Sequence, residues 1–136
     1  VGATVDLGRG IQNEARLVHH KIESGAQFLI TQPIFDPKEA HQFLEAYAED
    51  ASNQLSVPMF LGLQLLEPDG VIFASVPQSV REALNAGRNG IEIALELYSL
   101  FQQAGLHNIY LVPPIRRGGA RNYAAAQEFL ARIKRI

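Results

Sequence analysis

Two periods of apolar and polar positions take turns along this chain. Val1 to Leu7 (VGATVDL) is a short β-rich run. From Ile11 to Ser24 the apolar positions are Ile11, Ala15, Val18 and Ile22, the three-to-four spacing of one helix face. Gly25 follows, where a helix end favours a residue tolerant of positive φ. Gln27 to Gln32 (QFLITQ) is a compact apolar run, the pattern of a strand buried on both faces of a parallel sheet. Asp36-Pro37-Lys38-Glu39 then reads as a helix start: an N-cap aspartate, a proline at the first helical position and an acid in the first turn. Ala40, Phe43, Leu44 and Tyr47 make the inner stripe of that helix. Val57 to Leu63 predicts a third strand, and Glu67-Pro68-Asp69-Gly70 a turn. Helices are predicted over Gln78 to Ala86 and Ile91 to Ala104, a strand over Ile109 to Val112, and a last helix from Asn122 to Lys134.

The elements form four β-strand/α-helix units, an α/β chain with parallel strands. Strands joined through helices in this way take right-handed crossovers. Two architectures accommodate them: an open doubly wound sheet, or half of a (β/α)8 TIM barrel, which four strands cannot close. In both, ligands sit at the C-terminal ends of strands. The places to look are therefore the loops after Leu7, Ile30, Leu63 and Val112.

Composition narrows the class. With 136 residues, 47% apolar and 19% charged, the chain reads as a single globular domain over 1–136. The absence of cysteine excludes a disulfide framework and a thiolate zinc site. The longest apolar run, Val57 to Leu66, contains Gln64 and stops at Glu67, too short to span a bilayer. Neither a membrane nor a signal peptide is expected, and the default address is cytoplasmic. The start at Val1, with Met59 the only methionine, leads us to expect a fragment. A net charge of -2 gives no general attraction to nucleic acid, yet it hides a split. Residues 116–136 hold six basic side chains against one acid, Glu128, which makes that segment +5 and the rest -7.

Candidate chemistry is concentrated in two loops. Gln32 stands at a strand tip before Pro33. Its amide offers a donor and an acceptor side by side, suited to the edge of a flat heterocycle such as a pterin or flavin. Satisfying local backbone groups is an equally open role for it. The loop Pro113-Pro114-Ile115-Arg116-Arg117-Gly118-Gly119-Ala120-Arg121 places three arginines and two glycines before a helix, a combination able to hold an anion. Arg132, Lys134 and Arg135 read as the solvated face of a terminal helix. His19 and His20 are adjacent and point about 100° apart on a helix, so they cannot chelate one metal together. His41 and His107 have no partner at ligand spacing, and Glu92 with Glu96 reads as an ordinary surface pair, so no metal site is expected. No serine-histidine-acid set and no convincing general acid or base is present.

The segment LVHHKIESGAQFLITQPIFDP, and later NGIEIALELYSLFQQAGLHNIYLVPPIRR, resembles the flavin-dependent methylenetetrahydrofolate reductases. In that family a lysine-bearing helix runs through a -GA- step and a strand into ITQ-FFD. The likeness covers nearly the whole chain and keeps the motif order. It implies strands five to eight of a barrel that holds FAD and passes hydride from NAD(P)H to methylenetetrahydrofolate. On this resemblance Gln32 and Arg116 contact the folate, Lys21 and the neighbouring His20 contact FAD, and the catalytic acids lie in the missing first half. His20 stands where the family often has arginine, and Leu17 where asparagine can occur. The stretch Gly62 to Pro77 is shorter than its family counterpart.

These readings lead to a primary expectation. The chain is part of a methylenetetrahydrofolate reductase, or of a fusion with a homocysteine methyltransferase, and is inactive when isolated. The alternative is a non-catalytic half-barrel that self-associates into a homo-oligomer or binds a folate-like ligand, since exposed sheet edges need covering. A doubly wound nucleotide binder is a weaker third reading. Asp6-Leu7-Gly8-Arg9-Gly10 supplies only the first part of a glycine fingerprint.

Overall fold

The computed structural model describes residues 1–72 and 76–135. Its elements run β1 (Gly2–Val5), α1 (Ile11–Glu23), β2 (Phe28–Pro33), α2 (Pro37–Ala51), β3 (Met59–Gln64), α3 (Gln78–Asn85), α4 (Gly90–Gln103), β4 (Ile109–Val112) and α5 (Tyr123–Ile133). The strands form one sheet in the order β1-β2-β3-β4. β1 pairs parallel to β2, and β2 parallel to β3. Leu61 N–H donates to the Asn108 carbonyl, and four residues on Leu65 N–H donates to the Val112 carbonyl, so β3 and β4 also advance together. The α/β class and the parallel alternation expected from the pattern are therefore what the chain adopts.

Local chemistry explains the boundaries. The first strand stops at Val5, short of the predicted Leu7, because the Asp6 side chain accepts the Gly8 N–H at 3.0 Å and caps a 3-10 turn over Leu7–Arg9. Asp36 caps α2 as its sequence position suggests, accepting the Lys38 N–H at 2.9 Å with Pro37 at the first helical position. β3 begins at Met59 rather than Val57 and continues through Gln64. Of the shortened Gly62–Pro77 stretch, residues 73–75 lie outside the described part.

Two compact units emerge, and both β3 and β4 are divided between them. The first comprises Val1–Gly62 and Leu106–Tyr110. Its core is a cluster of Val5, Ala15, Val18, Leu29, Phe43, Ala46 and Tyr47, which joins one face of β1 and β2 to α1 and α2. Burial of these side chains stabilises the unit by roughly 25 cal/mol per Å2 of apolar surface removed from water. On the other face of the same strands Thr4, Ile30 and Gln32 are exposed. The second unit comprises Leu63–Gly105 and Leu111–Ile136. Its buried side chains include Leu63, Leu84, Leu97, Phe101 and Phe129, with Tyr98 meeting Phe129 edge-on at 6.1 Å. No helix among the described residues is long and apolar enough to cross a membrane.

Candidate functional site

In the first unit the C-terminal end of β2 departs from regular pairing. Leu29 is paired with Met59 and Ile30 with Phe60, but the next pair is Pro33 with Gly62. Two residues of β2, Thr31 and Gln32, thus stand opposite the single Leu61, which is a β-bulge. Thr31 is buried and Gln32 is exposed. The Thr31 hydroxyl donates to the Gln32 carbonyl at 2.7 Å and accepts the Gly62 N–H at 3.1 Å. The Thr31 carbonyl accepts the hydroxyl of Tyr110, which reaches it from β4. Ile34 N–H donates to the Gly62 carbonyl at 2.9 Å and resumes the ladder beyond the bulge. The carbonyls of Thr31 and Gln32 are thereby tied down, while the Gln32 side-chain amide engages no protein group among the described residues. Burial pushes the Tyr110 phenol above its ordinary range, so it stands as a protonated donor at neutral pH.

Lys21 and His20 sit elsewhere. Lys21 Nζ donates to the Thr4 carbonyl at 2.9 Å. That carbonyl points to the open edge of β1, since the Val1 carbonyl, of opposite parity, faces β2 and accepts the Gln27 N–H. Lys21 also lines a groove of about 520 Å3 with Val1–Thr4 and Ser24–Ala26, at the N-terminal ends of β1 and β2. His20 is exposed one residue away. Thr4, which Lys21 reaches, pairs with Ile30, two residues before Gln32 on β2.

The neighbouring histidine has a role that sequence spacing did not reveal. His19 Nδ1 lies 2.8 Å from Asp50 Oδ2 and its Nε2 3.1 Å from Glu23 Oε1, while its ring meets Tyr47 edge-on. It pins α1 to α2. Glu14, almost fully buried, accepts the Asp6 N–H at 2.9 Å and holds the loop after β1.

In the second unit the loops after β3 and β4 are zipped together. Gly70 bridges Arg116 and Ile115 bridges Arg121, both antiparallel, and Val71 N–H donates to the Ile115 carbonyl at 2.7 Å. Glu67 Oε1 accepts from Asn122 Nδ2 at 3.2 Å and lies 3.8 Å from Arg116 Nε. The Arg116 side chain is 58% exposed, so most of its guanidinium remains open to solvent beside this carboxylate. Arg117 and Arg121 are exposed in the same loop. Glu96 takes the guanidinium of Arg88, so the Glu92/Glu96 pair is held by a protein cation. The buried Gln64 is a residue the sequence reading passed over as a polar interruption; its Nε2 finds no hydrogen-bond partner among the described residues.

No protein-family model matches the chain, and no curated protein matches it. Its architecture is that of an α/β protein of parallel strands, and solved structures share it. One is an uncharacterized protein from Clostridium thermocellum that binds two copies of 5-methyl-5,6,7,8-tetrahydrofolic acid. The two superpose with a TM-score of 0.68 at 18% sequence identity, over 98% of this chain and 52% of that one. The chain thus spans about half the length of that protein, and at this identity the likeness is one of fold.

Proposed function

We propose that this chain binds a reduced folate at the C-terminal end of β2, with the Gln32 amide hydrogen-bonding the donor-acceptor edge of the pterin. The observation that carries the reading is the state of Gln32: exposed, at a strand C-terminus, its amide uncommitted while its backbone is fixed. A side chain meeting only local needs would spend its amide on nearby backbone groups, and this one does not. Support comes also from the ITQPIFD segment, which resembles the folate-contacting motif of the methylenetetrahydrofolate reductases, and from the folate carried by a protein of similar fold. Arg116, in the second unit, keeps a largely exposed side chain of a kind that holds anions, and its folate role rests on the resemblance.

The reductase activity implied by the resemblance is a second, wider proposal, in which this chain contributes folate contacts and, through Lys21 and His20, FAD contacts, and the rest of a barrel contributes the acid catalyst. It rests on the motif alone.

Calorimetric titration with 5-methyltetrahydrofolate tests the first proposal. The native chain is expected to bind, and Gln32→Ala to weaken binding by roughly tenfold or more, the loss of one or two hydrogen bonds to a partly desolvated ring. Equal affinity of both proteins would remove Gln32 from the site.

A further inference from the structure

We propose that the β-bulge at Thr31–Gln32 is an aiming device for Gln32, and that Tyr110 is the positioning residue that holds it. The inference rests on the folate reading for its purpose, though not for its geometry. Gln32 keeps the exposed face it shares with Ile30, but a regular strand would pair residue 32 directly with β3. Inserting one residue against Leu61 releases Gln32 from that register and turns its backbone.

Such an insertion leaves ladder groups without their usual partners, and buried backbone groups left unpaired are costly. Here three of them are met by side chains. The Gly62 N–H goes to the Thr31 hydroxyl rather than to a backbone carbonyl. The same hydroxyl hands its own proton to the Gln32 carbonyl. The Thr31 carbonyl receives the Tyr110 hydroxyl. The carbonyls on either side of Gln32, its own and that of Thr31, are therefore anchored, one from within β2 and one from β4.

The reach of Tyr110 depends on a missing side chain. β3 lies between β4 and β2, and the tyrosine has to cross it. It crosses at Gly62: a Cβ built there would lie 2.8 Å from the Tyr110 hydroxyl oxygen and 3.1 Å from the Pro33 Cα. No L-side chain fits that space unless the phenol withdraws. Gly62, Tyr110 and Thr31 thus form one arrangement whose output is the direction of the Gln32 amide. A glycine inside an apolar strand run is a known sign of a bulge or a close approach, and Gly62 serves both.

Two measurements separate this inference from the folate reading. Without ligand, amide hydrogen exchange of Gly62 and Ile34 is expected to accelerate by roughly tenfold in Tyr110→Phe, while amides in the middle of α2 keep their native rates. Gly62→Ala, which displaces the phenol by bulk, is expected to reproduce the pattern. Unchanged exchange at Gly62 and Ile34 in Tyr110→Phe overturns the device. With 5-methyltetrahydrofolate, Tyr110→Phe should weaken binding about tenfold in the native background and less than about twofold in Gln32→Ala, because it acts through that glutamine. Equal losses in both backgrounds would make Tyr110 a general support of the fold and overturn the positioning role. Thr31→Val, which deletes the hydroxyl and keeps the phenol, is expected to give the same non-additivity. If the native chain takes up no folate, the folate reading fails, and the exchange experiment still decides whether the bulge is held as proposed.

Discussion

At the scale of single residues, the site is governed by which polar atoms are committed and which are left over. Thr31 uses its hydroxyl twice and Tyr110 uses its phenol once, and the atoms left over belong to Gln32. Gln32 could be singled out from sequence because a polar residue between an apolar run and a proline is conspicuous. Tyr110 could not, because one tyrosine in a strand of apolar neighbours looks like core. Two phenols, the buried Tyr47 and the half-buried Tyr110, also set a pH response. Tyr47 is raised first by burial, then by Glu23 and Asp50, and Tyr110 by burial. An unfolded chain releases these protons near the ordinary tyrosine value of about 10, whereas the folded chain holds them to higher pH. Their stabilising contribution is therefore intact below about pH 10 and is lost as pH climbs through the folded values. Urea midpoints measured from about pH 9 to 11 should fall more steeply for the native chain than for Tyr47→Phe. Parallel slopes would show that Tyr47 titrates alike in both states.

Elements are positioned by their first residues as much as by their apolar faces. The cap and proline that open α2 were legible as a pattern, and the observed Asp36 bond matches it. Asp36→Ala is expected to cost about 1 kcal/mol in chemical denaturation, the usual worth of an N-cap. The start of α4 shows what a pattern leaves out. Gly90 reads as punctuation in the sequence, but a Cβ there would come within 1.9 Å of the Leu66 carbonyl oxygen. The helix begins with glycine because it starts against the backbone that leaves β3. Gly90→Ala should therefore destabilise by about 1–3 kcal/mol, as overpacking does, although alanine is the better helix former. A stabilised variant would mean that α4 shifts freely. The His19 clamp has the same character: adjacency in sequence placed it beside His20, while packing of α1 on α2 gave it Asp50, 31 residues away.

For the molecule as a whole, the question is how much of an activity 136 residues can carry. The chain matches about half of a folate-binding protein of similar fold, and the acid catalyst that the reductase resemblance implies lies outside the half it resembles. We therefore expect the purified chain to bind 5-methyltetrahydrofolate and to show no NADH or NADPH oxidation when FAD is added. Flavin-dependent turnover by this chain alone would contradict that expectation. Lys21 reaches from α1 to the Thr4 carbonyl of β1 and ties that helix to the strand.

Local order was written in the sequence. Strand and helix periods, the Asp36 cap and the α/β alternation follow from interactions among residues within a few positions, so composition and spacing suffice to read them. The position of Gln32 at a strand end is of the same kind. The pairing that shifts by one residue between Ile30 and Pro33, the phenol of Tyr110 lying over Gly62 to reach a carbonyl 79 positions back, and the ring of His19 held between Glu23 and Asp50 belong to the tertiary structure. They depend on which strands become neighbours and on how closely backbones approach, and no periodicity along one chain encodes those distances.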